Sequence, residues 1–174
     1  DHMIFTGATG IAKHILHAAA DNLVPTTLEL GGKSPVVVGR SADIDRTTSR
    51  VGLGKMLNAG QICLAPDYML VPRDQEAAVV EGLQKNVSAM YPSLLHNPDY
   101  TAVINDRHHE RLAGWIADAR QKGAEVIEVN PAGEDFSGSN SRKMPLHIVR
   151  NPTDDMAVMQ DEIFGPILPV LIVD

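Results

Sequence analysis

The sequence predicts an α/β fold with a mostly parallel sheet flanked by helices, and three observations carry that expectation. Short β-branched and apolar runs alternate along the chain with longer segments of helical periodicity. Glycine, proline and aspartate stand at the junctions between them. The run Pro35-Val36-Val37-Val38-Gly39 is apolar on successive residues, as a short strand covered on both faces is.

Taken in order, a first strand ends near Phe5, and Gly7 turns the chain into a helix over residues 10–23. On that helix Ile11, Ile15, Ala18, Ala19 and Leu23 recur near helical spacing, and Pro25 follows as a stop. Residues 26–30 and 35–39 read as strands. Asp43 is placed to cap a helix carrying Val51, Leu53 and Leu57 that leads to Gly60. A strand over 68–71 precedes an amphipathic helix over 75–90, with Val79, Val80, Leu83 and Val87 turned inward. Residues 101–105 read as a short extended run, and Asp106 as the cap of a helix with Leu112, Trp115, Ile116 and Ala119 on one face. Gly123 ends that helix and a strand over 125–129 follows. Residues 131–143 form a polar, turn-rich loop expected to be mobile, and strands over 144–149 and 167–173 complete the pattern.

Composition narrows the function classes. The 174 residues are 44% hydrophobic and 21% charged, the balance of a soluble globular chain with a real core. A net charge of −7 argues against a nucleic-acid surface. No run of about eighteen apolar residues and no basic-then-apolar start suggest a membrane segment or a secretory signal. One cysteine and no disulfide framework fit a reducing compartment, with cytoplasm as the expectation.

The chemistry-bearing residues are few. Cys63 is the only thiol, in Asn58-Ala59-Gly60-Gln61-Ile62-Cys63-Leu64-Ala65-Pro66-Asp67-Tyr68. It is either buried filler or a nucleophile, and a thiol needs a base, a positive neighbour or hydrogen-bond donors to react at neutral pH. Glu29 stands before Gly31 and Gly32, where a carboxylate can act as a general base or sit solvated at a strand end. Glu162 precedes Phe164-Gly165-Pro166 and can accept hydrogen bonds from a diol such as a ribose. Phe5-Thr6-Gly7-Ala8-Thr9-Gly10 opens onto a helix N-terminus that favours phosphate, although it lacks a full G-x-G-x-x-G. Lys33, beside the double glycine Gly31-Gly32, can contact a phosphate or simply be exposed at a strand end. No metal site is predicted: the adjacent His108 and His109 point to different sides of a helix, and His14 and His17 lack a third ligand.

Phe5-Thr6-Gly7, Glu29-Leu30-Gly31-Gly32-Lys33-Ser34-Pro35, Gly60-Gln61-Ile62-Cys63 and Glu162-Ile163-Phe164-Gly165-Pro166 stand in an order and at spacings that closely resemble the aldehyde dehydrogenase superfamily. Cys63-Leu64-Ala65-Pro66-Asp67-Tyr68 and Asn97-Pro98-Asp99-Tyr100 resemble its class 3 or coniferyl-aldehyde-type branch. The resemblance spans the whole chain. Because family members run to several hundred residues, it implies an internal segment. Residues 1–32 would then end a Rossmann-like NAD(P)-binding domain, and residues 33–174 would form a catalytic domain incomplete at its C-terminus.

The resemblance also implies roles. Cys63 would attack an aldehyde carbonyl and pass through a thiohemiacetal to a thioester, with its own N–H on the oxyanion. Glu29 would activate the deacylating water. Gly7, Leu30, Glu162 and Phe164 would hold NAD or NADP, with Glu162 on the nicotinamide-side ribose. The substrate would be a small-molecule aldehyde, aromatic such as coniferyl aldehyde or medium-chain aliphatic, and the full-length parent a homo-oligomer, a dimer. Ala8 and Ala12 replace the serine and glycine often found in the family's phosphate turn, and Asp161 replaces a glutamate. The family's oxyanion asparagine falls upstream of Asp1, and losing such a donor costs about 10²–10³ in rate. The segment alone is therefore expected to turn over little. The alternatives are a cofactor-independent thiol esterase using Cys63 and Glu29, and a non-catalytic isolated domain.

Overall fold

The computed structural model describes residues 1–137 and 139–174 and contains two compact units, Asp1–Gly32 and Lys33–Asp174. The first unit is one β–α–β turn: β1 (Met3–Gly7), α1 (Thr9–Asp21) and β2 (Thr26–Leu30). β1 and β2 pair in parallel, with Thr6 opposite Glu29 and Gly7 opposite Leu30. The helix between them is the crossover that parallel neighbours require.

α1 stops two residues earlier than its apolar periodicity predicts. Leu23 N–H bonds Ala20 O at 3.2 Å and Val24 N–H bonds Ala19 O at 3.0 Å, the paired bonds of a Schellman terminus. Leu23 takes the left-handed position of that motif, with φ 52°, and is 91% exposed rather than on the inner face.

The second unit holds a five-stranded sheet in the order β3-β4-β7-β6-β5, with β3 (Pro35–Val37), β4 (Tyr68–Pro72), β5 (Glu125–Val129), β6 (Leu146–Arg150) and β7 (Ile167–Val173). Four strands run parallel; β5 joins the edge antiparallel to β6. Most of β6 and the first four residues of β7 are buried, as central strands with both faces covered must be. Ile148 and Leu168 pack into one core with α2 (Ile44–Met56) and α3 (Glu76–Met90). Val149 and Ile167 face a second core with α4 (Asp106–Gln121) and α5 (Ala157–Gln160). No helix among the described residues is long and apolar enough to cross a membrane.

Helix ends explain most departures from the predicted boundaries. Asp43 caps α2 as its sequence suggests, Oδ1 accepting Arg46 N–H at 3.0 Å. For α4 the cap is Asn105, not Asp106: Asn105 is extended (φ −154°, ψ 169°) and its Oδ1 accepts His108 N–H at 2.9 Å. Asp106 is already helical and favours the helix dipole instead. Gly123 takes the left-handed position after α4, with Ala124 N–H on Ala119 O. The run 101–105 is not a strand, because its backbone bonds go to the Gln61 amide and to Arg142. Met144 and Pro145 precede β6 rather than belong to it. The polar loop 131–143, expected to be mobile, is anchored: Glu134 accepts Leu94 and Leu95 N–H, and Lys143 donates to Leu95 and Asn97 carbonyls. Residue 138 of that loop lies outside the described residues.

Candidate active site

α2 ends at Met56, four residues before Gly60, and the chain then reverses through three consecutive left-handed residues. These are Asn58 (φ 51°), Ala59 (φ 53°) and Gly60 (φ 73°). Asparagine tolerates the region; alanine there costs about 1–2 kcal/mol, and the fully buried Ala59 methyl is what holds it in place. Gly60 has no substitute: a Cβ would stand 2.5 Å from the Gly165 carbonyl oxygen. That close approach brings the cysteine segment against the segment carrying Glu162 and Phe164.

The turn is pinned on its other side by amides. Asn58 Nδ2 donates to Gln61 O at 3.1 Å, and Gln61 Nε2 donates to Asn58 O and to Ala102 O. Gln61 Oε1 accepts Ile104 N–H at 2.9 Å. Ala65 N–H then closes on Ile62 O, leaving Cys63 and Leu64 at the corner of the turn, both exposed. The thiol is therefore presented to solvent, not used as filler.

The Glu162 segment is held by its backbone. Asp67, only 3% exposed, accepts Ile163 N–H on Oδ1 at 2.9 Å and Lys33 Nζ on Oδ2 at 2.5 Å. Lys33 also donates to the carbonyls of Val158 and Asp161, so the strand-end lysine that the sequence offered to phosphate or solvent is occupied. Arg111 Nη2 donates to Ile163 O at 2.7 Å and Nη1 reaches Glu162 O, while its guanidinium stacks 4.4 Å from the Trp115 ring. Burial lowers the Arg111 pKa, opposed by Asp161, Glu162 and Asp67. Ile163 is fully buried, Glu162 is half-buried and Phe164 is exposed with φ 47°.

Beneath the cysteine turn lies Lys55, 1% exposed, whose Nζ donates to Pro66 O at 2.8 Å. Burial pushes its pKa down to about 7, against the attraction of Asp67 and with added repulsion from Lys33. The sequence reading passed over Lys55, Asp67 and Arg111. Lys55 had a usable signal: with Thr48, Val51, Gly52 and Met56 it falls on the buried stripe of α2. Asp67 and Arg111 had none, since their partners lie 96 and 52 residues away.

In the first unit, Glu29 is exposed on β2 beside Thr6, and Leu30 stands opposite Gly7. Gly7 closes β1 immediately before α1, whose N-cap Ala8 offers no side-chain cap. Ile11 and Ala12 N–H bond Ala8 O, and the Thr9 and Gly10 N–H groups before them can donate to an anionic oxygen. Gly7, Glu29 and Leu30 thus gather at one end of their own unit, while Cys63, Glu162 and Phe164 gather in the other. Among the described residues, no three His, Cys, Asp or Glu side chains converge to hold a metal ion.

The thiol is presented in Lys33–Asp174, and the uncapped helix start follows Gly7 in Asp1–Gly32. The chain belongs to the aldehyde dehydrogenase family, whose model matches residues 1–174. It is 59% identical over 170 residues to a "Probable coniferyl aldehyde dehydrogenase" of Caulobacter vibrioides, covering 98% of this chain and 35% of that protein. A "Coniferyl aldehyde dehydrogenase" of Pseudomonas sp. is 55% identical over the same shares. The fold matches the substrate-bound state of Staphylococcus aureus AldH with a TM-score of 0.88 at 36% identity, over 100% of this chain and 36% of that one. It matches the NAD+ complex of an aldehyde dehydrogenase from Bacillus cereus with a TM-score of 0.83 at 29% identity, over 100% and 35% of the two chains. The chain spans about a third of the length of the relatives it matches.

Proposed function

We propose that these residues belong to an NAD(P)+-dependent aldehyde dehydrogenase that oxidises an aldehyde to the carboxylic acid, with coniferyl aldehyde as the representative substrate. The observation that carries the reading is the exposed Cys63 thiol on a rigidly braced turn, in a chain that matches the family along its whole length. The names of the relatives in Caulobacter and Pseudomonas support the aromatic substrate. On this reading residues 1–32 end the cofactor domain and residues 33–174 belong to the catalytic domain.

Cys63 Sγ releases its proton to solvent and attacks the carbonyl carbon, and the Cys63 N–H donates to the oxygen on which negative charge develops. Gly7, Leu30, Glu162 and Phe164 hold the dinucleotide; the uncapped start of α1 fits a pyrophosphate. When bound, NAD(P)+ supplies the acceptor for the hydride that leaves the thiohemiacetal as a thioester on Cys63. The Glu29 carboxylate takes a proton from the water that attacks this thioester, releasing the acid and restoring the thiol.

The test is made in the full-length polypeptide that carries this segment. Cys63→Ser is expected to lower aldehyde oxidation about a thousandfold or more, and Glu29→Gln about 10²–10⁴-fold. Wild-type rates in both variants would contradict the mechanism.

A further inference from the structure

We propose that Asp67, held by Lys33 and acting with Arg111, is a positioning residue that sets Glu162 for the cofactor; this rests on the reading that Glu162 contacts the ribose. Among the described residues, the Glu162 carboxylate carries no hydrogen bond or ion pair, yet the backbone around it is fixed at several points. Ile163 N–H meets Asp67 Oδ1 at 2.9 Å, Ile163 O receives Arg111 Nη2 at 2.7 Å, and Arg111 Nη1 reaches Glu162 O. Lys33 takes the carbonyl of the preceding residue, Asp161, at 2.9 Å. The side chain is thus left free to bind while its Cα is denied freedom to move.

The same carboxylate ties this segment to the cysteine turn. Asp67 follows Cys63 by four residues, its own N–H bonds Ser34 O at 2.9 Å, and the preceding carbonyl, of Pro66, is taken by buried Lys55. A buried ion pair adds little net stability compared with apolar packing, so stability alone is a weak account of this cluster. It does enforce a single backbone geometry: removing the carboxylate leaves Ile163 N–H and one Lys33 donor without their partner. Asp67 therefore transmits position from the nucleophile segment to the cofactor-binding side chain without touching substrate or cofactor itself.

The experiment measures the Kd for NAD+ by isothermal titration calorimetry in the absence of aldehyde, expected to move in parallel with the NAD+ KM, together with KM for NAD+ and for aldehyde, in the full-length protein with Asp67→Ala, Asp67→Asn, Glu162→Gln and the Asp67→Ala/Glu162→Gln pair. Asp67→Ala is expected to raise the NAD+ KM about tenfold, equivalent to the loss of one modest contact. Asn, which keeps an acceptor for Ile163 N–H, is expected to fall between Asp and Ala. The aldehyde KM is expected to move less than the NAD+ KM, and Asp67→Ala is expected to add less than about twofold in the Glu162→Gln background. Should Asp67→Ala fail to fold, Arg111→Met carries the same prediction from the other side of the peptide. An unchanged NAD+ KM in the Asp67 or Arg111 variants, beside a raised one in Glu162→Gln, overturns the positioning role alone. A full additional loss in the double variant, or equal rises in both KM values, overturns it in favour of general loosening. An unchanged NAD+ KM in Glu162→Gln removes the underlying assignment, and this proposal with it.

Discussion

The two compact units hold their candidate residues in different ways. In Asp1–Gly32, Gly7, Glu29 and Leu30 are placed by strand register alone, on a two-stranded ribbon with one helix. Only Ala12 and Ala19 of that helix are buried, and Ile4, Ile11, Leu16 and Leu23 are exposed. In Lys33–Asp174, Cys63 and Glu162 lie on loops, yet those loops are cross-braced by Lys33, Lys55, Asp67, Arg111 and the Gln61 amide. A loop becomes as exact as a strand when its backbone groups are bonded to buried side chains. The ribbon gains its order from pairing, and the loops from partners distant in sequence.

The strongest way to break the braced unit is at its tightest contact. Gly60→Ala places a Cβ 2.5 Å from the Gly165 carbonyl at a residue with φ 73°. Displacing the turn by about 1 Å is expected to cost on the order of a hundredfold in kcat/KM, although Cys63 is untouched. Steady-state kinetics with the aldehyde and NAD+ check this, and rates within a few-fold of wild type would mean the turn tolerates movement.

A second prediction concerns Lys55. Its folded pKa of about 7 lies below the ordinary lysine value of 10.5. Between those values the unfolded chain binds the extra proton, so stability rises with pH across that window and is flat below it. One proton gives a slope of up to about 1.4 kcal/mol per pH unit. Urea unfolding from pH 7 to 10 should show this component in the wild type and not in Lys55→Met. Equal slopes would place the titration elsewhere.

The smallest effect sharpens the contrast from the other side. α1 and α4 end in the same hydrogen-bonded motif, but Gly123 occupies the left-handed position after α4 and Leu23 that after α1. Leu23→Gly relieves the strained φ of an exposed residue and is expected to stabilise the first unit by about 1 kcal/mol. Protection of the β1 and β2 amides against hydrogen exchange should rise accordingly; unchanged or lower protection would show that Leu23 makes contacts of value.

These cases also show what was legible in the sequence. Strand–helix alternation, the Asp43 cap, the Gly123 stop and the buried faces of α3 and α4 are local signals, and each is read within a few residues. The antiparallel direction of β5 is not, because pairing direction depends on where the chain returns after a loop. Asn105 displaced Asp106 as cap because backbone angles, not residue type alone, decide which side chain faces the free N–H groups. At the candidate site Cys63, Glu29 and Glu162 stand out by their motifs. The charges that brace the Cys63 and Glu162 segments do not, since Lys33 and Asp67 are 34 residues apart and Lys33 reaches a carbonyl 128 residues away.

The most direct test of the central claim is mass spectrometry of the full-length Glu29→Gln protein mixed with coniferyl aldehyde and NAD+. With its general base removed, deacylation should slow, and the peptide containing Cys63 should gain the mass of the corresponding acyl group. An unmodified Cys63 peptide in a protein that still reduces NAD+ would contradict the account.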